Sequence, residues 1–385
     1  MIKTFVAHTT ELDDDNLAVN QILAQIELGK NLMKNTIGII SCHYEFVNSG
    51  IYNAVCKALP FSVVGTISSS QSVPGFSASL LLTLMVLTSD DVSFVKTLTP
   101  SLLENPTQVI SDSYKAACNN CKPSLILAYA PFILQNCGDD YVSVLTEVSG
   151  GTPCFGTLAV DDTLDFSCCF MLADGQQYLD RMVMVLLFGD IRPKFFVANI
   201  SDSRILEKSA FITKSAGSVL MEVNERPVLE YFEDLGLLDA TNTQYAMTSL
   251  PFLLDYNDGT PKVSKIFIML TPEKYAICNG AMPMGSTLYM ATADSDDIML
   301  TTGEAVDKIL DYTDDASVLL IYSCIGRIMT LGSEQFKEMD LVYKKIGENI
   351  PYLMACSGGE ICPAQISQEK AINRFHNNAF IACIL

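Results

Sequence analysis

The sequence predicts an α/β fold with mixed parallel and antiparallel sheets, built from repeated β-α-β-α-β-β units with helices packed on the sheets. Three observations predict it. Short, continuous apolar runs recur along the chain, each followed by a helix-length stretch. A proline then opens a second apolar run in each copy. After a loop, a last apolar run closes the copy.

The central run reads Ile37-Gly38-Ile39-Ile40-Ser41-Cys42 in the first copy, Leu125–Ala130 in the second and Leu319–Cys324 in the third. Unbroken apolar runs of this length suit strands covered on both faces. The helix-length stretches span residues 50–59, 140–148 and 334–346. Pro60, Pro153 and Pro351 open the next strands, at a position where the missing N–H costs nothing. Residues 76–87, 166–172 and 379–385 close the copies.

Upstream, residues 4–6 lead into a helix at 13–27, whose aspartates favour a helix N-terminus. Residues 94–98 lead into a helix at 104–117, and residues 298–300 into one at 304–310. Residues 195–292 read as a degraded fourth copy, with a hairpin around Gly217, a helix at 226–235 and strands at 265–270, 276–278 and 287–291. Four units imply two domains of two, residues 1–203 and 204–385.

Composition narrows the function classes. Hydrophobic residues make up 49% of the 385 and charged residues 18%, which excludes a disordered chain. The formal net charge is −20. So acidic a surface repels phosphate backbones and anionic lipid heads, so neither nucleic acid nor membrane is an expected partner. No apolar run approaches the roughly 20 residues of a membrane span, and the first ten residues lack a secretory pattern. The 13 cysteines are odd in number and several lie in apolar runs, among them Cys154, Cys168, Cys169, Cys278 and Cys383. Reduced thiols in the cytoplasm fit better than a disulfide framework.

Aligning the copies locates a site. Nine residues after the opening prolines stand Ser69, Asp162 and Glu360. All three fall just past strand ends, where α/β folds build ligand sites. Asp161, Asp162 and Glu360 are then carboxylates at a functional address; the plainer alternative has them capping a turn or facing water. The third copy is chemically richest, with Cys324 and Arg327 after one strand, Gly358, Gly359 and Glu360 after the next, and His376 and Asn377 before the last. An Arg fork beside a carboxylate suits a zwitterion such as an amino acid, and paired glycines admit close backbone approach. The expected ligand set is Cys324, Arg327, Gly359, Glu360, His376, Asn377, Asp161 and Asp162. No catalytic residue, metal or cofactor is expected. The alternative is an enzyme on a small metabolite, with Cys324, His376 and Glu360 as nucleophile, base and orienting group. Cys118-Asn119-Asn120-Cys121 reads as helix-end cysteines, since a zinc site needs a second pair.

At these residues the chain resembles the FIST family, a two-part sensory module of signal transduction. Tyr322 to Arg327, Gly359-Glu360-Ile361 with Pro363, and Phe375-His376-Asn377 resemble the family's three C-terminal motifs, in order. Val223 to Val228 looks like its short turn before a helix, and Pro153 to Asp162 like its acid-ended N-terminal motif. The resemblance implies an intracellular sensor that binds a small molecule, usually an amino acid or derivative, and passes the signal to a partner protein. One branch of the family binds haem and senses nitric oxide, so a haem-binding gas sensor is a further alternative reading. Many relatives carry a His in the segment matching residues 197–203, and this chain has none there; His8, His43 and His376 are its other imidazoles.

Overall fold

The computed structural model describes residues 1–30, 32–133, 136–163, 166–236, 251–313, 316–348, 350–367 and 370–385. Its first unit runs β1 (Ile2–Thr9), α1 (Asp15–Ile26), β2 (Asn35–Cys42), α2 (Glu45–Asn48), α3 (Ile51–Ala58), β3 (Ser62–Ile67), a hairpin β4 (Gln71–Val73) and β5 (Phe76–Ala78), then β6 (Leu82–Ser89). Helix α1 starts where it does because the Asp14 carboxylate accepts the Leu17 N–H at 3.0 Å.

The second unit repeats the order with β7 (Ser93–Leu98), α4 (Pro106–Cys118), β8 (Leu125–Ala130), α5 (Gly138–Ser149), β9 (Cys154–Leu158), the hairpin β10 (Met171–Ala173) and β11 (Gln176–Tyr178), and β12 (Val183–Phe188). A third unit begins with β13 (Lys194–Ala198) and is then interrupted. The interruption is an antiparallel sheet: β14 (Ile205–Ala216), β15 (Val219–Val223), β16 (Arg226–Pro227), helix α6 (Val228–Asp234), β17 (Pro251–Asp255), β18 (Val263–Leu270), β19 (Ala276–Cys278) and β20 (Thr287–Ala291). The unit resumes with α7 (Ser295–Leu310), β21 (Leu319–Cys324), α8 (Ile325–Leu331), α9 (Lys337–Ile346), β22 (Tyr352–Ser357), the hairpin β23 (Glu360–Ser367) and β24 (Lys370–His376), and β25 (Phe380–Ile384).

Each unit's sheet has the same strand order and borrows its outer hairpin from another unit. The sheets run β1-β6-β2-β3-β10-β11, β7-β12-β8-β9-β23-β24 and β13-β25-β21-β22-β4-β5. The hairpins are thus exchanged in a cycle, which ties the three units into one body. Within the three sheets the pairs β2–β3, β8–β9 and β21–β22 are parallel and the others antiparallel, as the mixed-sheet expectation requires.

Strand alternation explains the layers. Ile37 and Ile39, Leu125, Leu127 and Tyr129, and Leu320 and Tyr322 point into one core shared by all three sheets. Ile40, Ile126 and Ile321 point outward into three separate cores beneath the helices. Both faces are covered, so the strands read as unbroken apolar runs.

Three expectations change. The described residues of 205–236 and 251–291 form no fourth β-α-β-α-β-β unit; their sheet closes on itself through β14–β15 around its own core, a small barrel inserted into the third unit. Residues 298–300 are helical, because Asp294 caps α7 by accepting the Asp297 N–H at 2.9 Å; the unit's first strand is β13, which pairs with β25 and lies before the expected boundary at 203/204. In the second unit the closing strand is Val183–Phe188, and only Met171–Ala173 of the expected 166–172 run is a strand.

The barrel is pinned by a buried lysine. Lys265 Nζ donates to Asp139 Oδ2 of α5 at 2.8 Å and to the Phe375 carbonyl of β24 at 2.7 Å. Burial opposes its charge, but Asp139 prevails and its pKa rises to about 12. A Cβ at Gly280, where φ is 128°, would sit 2.5 Å from Nζ, so glycine is required there.

Candidate functional site

The C-terminal ends of the central strands converge on three loops. Strand pairing sets Cys42 opposite Ile67, Ala130 opposite Leu158 and Cys324 opposite Ser357. Three residues beyond those partners stand Ser70, Asp161 and Glu360. Register therefore equates these three, one step from the Ser69 and Asp162 obtained by counting from the prolines, because β3 starts one residue later after its proline than β9 and β22 do, and β9 has 5 residues where β3 and β22 have 6. The loops are stitched together: the Val160 N–H donates to the Ile67 carbonyl at 3.3 Å, Cys356 to Ser70 at 2.9 Å, Leu158 to Gly359 at 2.9 Å and Gly358 to Leu158 at 3.0 Å.

Glu360 opens β23 and is wholly buried. Its Oε2 accepts the Ala379 N–H at 3.3 Å, while Oε1 has no hydrogen-bond partner among the described residues. Burial raises its pKa to about 8, although Ser357, the Ala379 N–H, Cys324 and Arg327 all pull it down. At neutral pH it is mainly the protonated acid.

Cys324 lies beside it, also fully buried. Desolvation, then the Glu360 charge, pushes its thiol well above the ordinary range. A thiol so placed is no nucleophile, because thiolate is the reacting form. In native protein, iodoacetamide is expected to label the exposed Cys121 readily and Cys324 only on unfolding. Peptide mapping that finds Cys324 labelled as fast as Cys121 would contradict this.

Arg327 does not face Glu360. Its Nε and Nη2 reach Glu338 Oε1 at 2.9 and 2.8 Å, and Nη2 also donates to the Thr302 hydroxyl and the Ile298 carbonyl. Ser323 donates to the other Glu338 oxygen at 2.5 Å. Both charges are about 1% exposed. The guanidinium is committed to a buried ion pair, so the expected Arg327–Glu360 clamp is not formed.

His376 is the cross-strand neighbour of Glu360. Its Nε2 lies 3.3 Å from the Cys362 carbonyl, and Nδ1 has no partner among the described residues. Burial first and the Lys265 charge second lower its pKa to about 4, so it is neutral near pH 7. Asn377 donates its N–H to the Ser264 carbonyl and its side-chain amide to the His376 carbonyl, both at 2.9 Å. The oxygens Asn377 Oδ1, Asn378 Oδ1 and Ser264 Oγ are buried without partners among the described residues.

The remaining expected residues have structural surroundings. A Cβ on Gly359 would meet the Phe375 ring at 2.3 Å, and one on Gly358 the Ala159 carbonyl at 2.5 Å; the protein itself fills the space these glycines provide. Asp161 is buried and accepts from the Thr163 N–H and hydroxyl and from the Cys168 N–H, which caps its loop. Asp162 is half-exposed and lies 3.2 Å from His43 Nε2. Thus Cys324, Glu360, Gly359, His376 and Asn377 gather at one locus, Asp161 and Asp162 lie in the adjoining loop, and Arg327 sits in the helix layer.

A closed cavity of about 20 Å³, room for about one water, adjoins this locus. Cys324 and Gly358 wall it from the strand ends, and Ile266 and Ile268 from the barrel. The rings of Phe132 and Phe166, 5.6 Å apart, line its other side. Sequence reading missed Glu338, Asn378 and this lining. Asn378 could have been found as the second amide of a pair; the others lie too far apart in sequence to signal contact. Among the described residues no group of three or more His, Cys, Asp or Glu could hold a metal, and no helix is long and apolar enough to cross a membrane.

Three interlocked units and an inserted barrel make a mixed α/β protein in which Glu360, a buried acid, stands at the ends of the central strands. The chain belongs to the FIST family: the FIST N domain matches residues 36–226 and the FIST C domain residues 228–363, and such domains are sensory modules of signal transduction. The chain is also similar to two solved structures, both distantly. Cyanuric acid hydrolase from A. caulinodans is 9% identical, with 100% of this chain and 99% of that one covered at a TM-score of 0.38. Phosphoribosylformylglycinamidine synthase II from Thermotoga maritima is 9% identical, with 100% and 71% covered at 0.20. Neither likeness is close enough to carry an argument. No curated protein matches.

Proposed function

We propose that this protein is a signal-transduction sensor whose input is a small amine-bearing molecule, an amino acid or a derivative of one, recognised at Glu360. The observation that carries this is Glu360 Oε1, a buried carboxyl oxygen without a hydrogen-bond partner among the described residues. Leaving such an atom unpaired costs about 1–3 kcal/mol, and strongly shifted buried acids concentrate at functional sites. Unpaired acceptors on Asn377 and Asn378 accompany it. Arg327, whose charge reaches Glu360, and Lys265 and Arg374, whose charges reach His376, are bound to Glu338, Asp139 and Asp258. The locus therefore offers acceptors and favours an amine over a carboxylate, so amides and esters of amino acids fit it best. Entry requires the Phe132 and Phe166 rings to part. A ligand there presses on Ile266 and Ile268 of the barrel, which gives a downstream signalling protein a change to read. Cysteines buried as thiols, among them Cys42, Cys154 and Cys383, suit the reducing cytoplasm.

The test is calorimetric and thermal-shift titration of the full chain with amino-acid amides and esters. An ammonium can pair only with ionised Glu360, so affinity is expected to climb up to about tenfold per pH unit until about pH 8, with about one proton released per ligand near pH 7. Glu360→Gln is expected to abolish binding. Failure of every amide and ester to bind, or binding kept in E360Q, would overturn the assignment.

A further inference from the structure

We infer that Cys118 and Cys121 form a thiol–disulfide exchange site, which takes a small, carboxylate-bearing disulfide as its oxidant. The two stand in the Cys-Asn-Asn-Cys run at the end of α4, away from Glu360, and the inference does not rest on the Glu360 reading. With 13 cysteines in the chain, cysteine supply alone singles out no pair. Backbone geometry does.

Helix α4 stops at Cys118 because Asn119 turns left-handed, at φ 44° and ψ 46°, and Asn120 follows at φ 64°. Two successive positive φ values make a tight turn that asparagine tolerates better than most residues. The Cys121 N–H closes it on the Cys118 carbonyl at 2.8 Å. In such a turn the first and last Cα atoms lie within about 7 Å, the separation that a disulfide spans. The two asparagines thus fold the chain so that both thiols leave one short turn.

Their surroundings give the thiols different roles. Cys121 alone among the cysteines is exposed. Cys118 is buried at the edge of the core beneath α4 and α5, and burial pushes its thiol up. Cys121 therefore reacts first. Its thiolate attacks one sulfur of the small disulfide, which forms a mixed disulfide and releases one small thiol. Cys118 then gives its proton to solvent and attacks the Cys121 sulfur, and the second small thiolate leaves and takes up a proton. Two protein thiols become one disulfide, and their two electrons reduce the small disulfide to two thiols. Lys115 and Lys122, both exposed, flank the run and favour a reagent that carries carboxylates. The Tyr114 hydroxyl bonds both Cys118 and Thr152. Oxidation draws the Cys118 sulfur away from it, so the last turn of α4 and the loop before β9 register the redox state.

The experiment incubates the full chain with oxidised glutathione, quenches it in acid, alkylates the remaining thiols and maps the peptides by mass spectrometry. The first disulfide is expected to join Cys118 to Cys121 and to revert in excess reduced glutathione. Cys118→Ser is expected to stop at a glutathione adduct on Cys121. Cys121→Ser is expected to react about tenfold more slowly or less, since only buried thiols remain. Circular dichroism should be unchanged in both variants. A natural chain that stays reduced, that stops at the Cys121 adduct, or that forms its first disulfide between other cysteines would overturn the inference.

Discussion

Glu360→Gln is expected to raise the stability of the protein at pH 8 by about 4 kcal/mol, at about 1.4 kcal/mol per unit of pKa shift, and to leave it nearly unchanged at pH 4. In the unfolded chain the carboxyl titrates near 4.5; in the fold burial lifts it to about 8. Between those values the native protein holds a proton that the unfolded chain has released, so stability falls as pH rises through the window. Glutamine keeps the shape and stays neutral, which removes the fall. His376 works in the opposite direction. Its pKa drops from 6.5 to about 4, so between those values the unfolded chain binds the extra proton and stability rises with pH. The two slopes oppose each other below pH 6.5, and from there to pH 8 Glu360 acts alone. Chemical denaturation across pH should show the natural protein losing stability over that upper range and E360Q holding level. An E360Q protein no more stable than the natural one at pH 8 would remove the energetic case for a functional acid.

Arg327→Met is expected to destabilise the protein by about 3–5 kcal/mol, the cost of leaving one partner of a buried ion pair uncompensated. Glu338, about 1% exposed, would keep only the hydroxyls of Ser323 and Thr302. The double variant Arg327→Met/Glu338→Leu should recover most of the loss, since apolar pairs of similar volume often replace buried ion pairs without penalty. Urea denaturation of the two variants gives the comparison. A single variant within about 1 kcal/mol of the natural protein, the size typical of an exposed pair, would mean that the pair is solvated.

The central strands and most helices were legible because burial on both faces leaves unbroken apolar runs, as at Leu319–Cys324, and because prolines mark the strand starts. The start of the third unit was not, since the barrel separates β13 from α7 in sequence, and a short run such as Ile298-Met299-Leu300 has no periodicity to tell helix from strand. The exchanged hairpins were invisible for another reason. Gln71–Val73 and Met171–Ala173 are three residues long and pair with strands of other units, which local patterning does not encode. At the site, the repeat marked Glu360, while Cys324, His376 and Asn377 were singled out only as polar residues near the strand ends of the same copy. Arg327 was misjudged because its partner, Glu338, enters from α9, eleven residues away. A helix-borne carboxylate took the cation that adjacency to the strand end had assigned to Glu360.

The central claim is that Glu360 is a protonated, buried acid at the recognition locus. Carbon-13 NMR titration of glutamate side-chain carboxyls, with E360Q to assign the signal, tests it most directly. A midpoint near 8 is predicted, moving below 7 when an amino-acid amide binds. A midpoint near 4.5 that no ligand moves would contradict it.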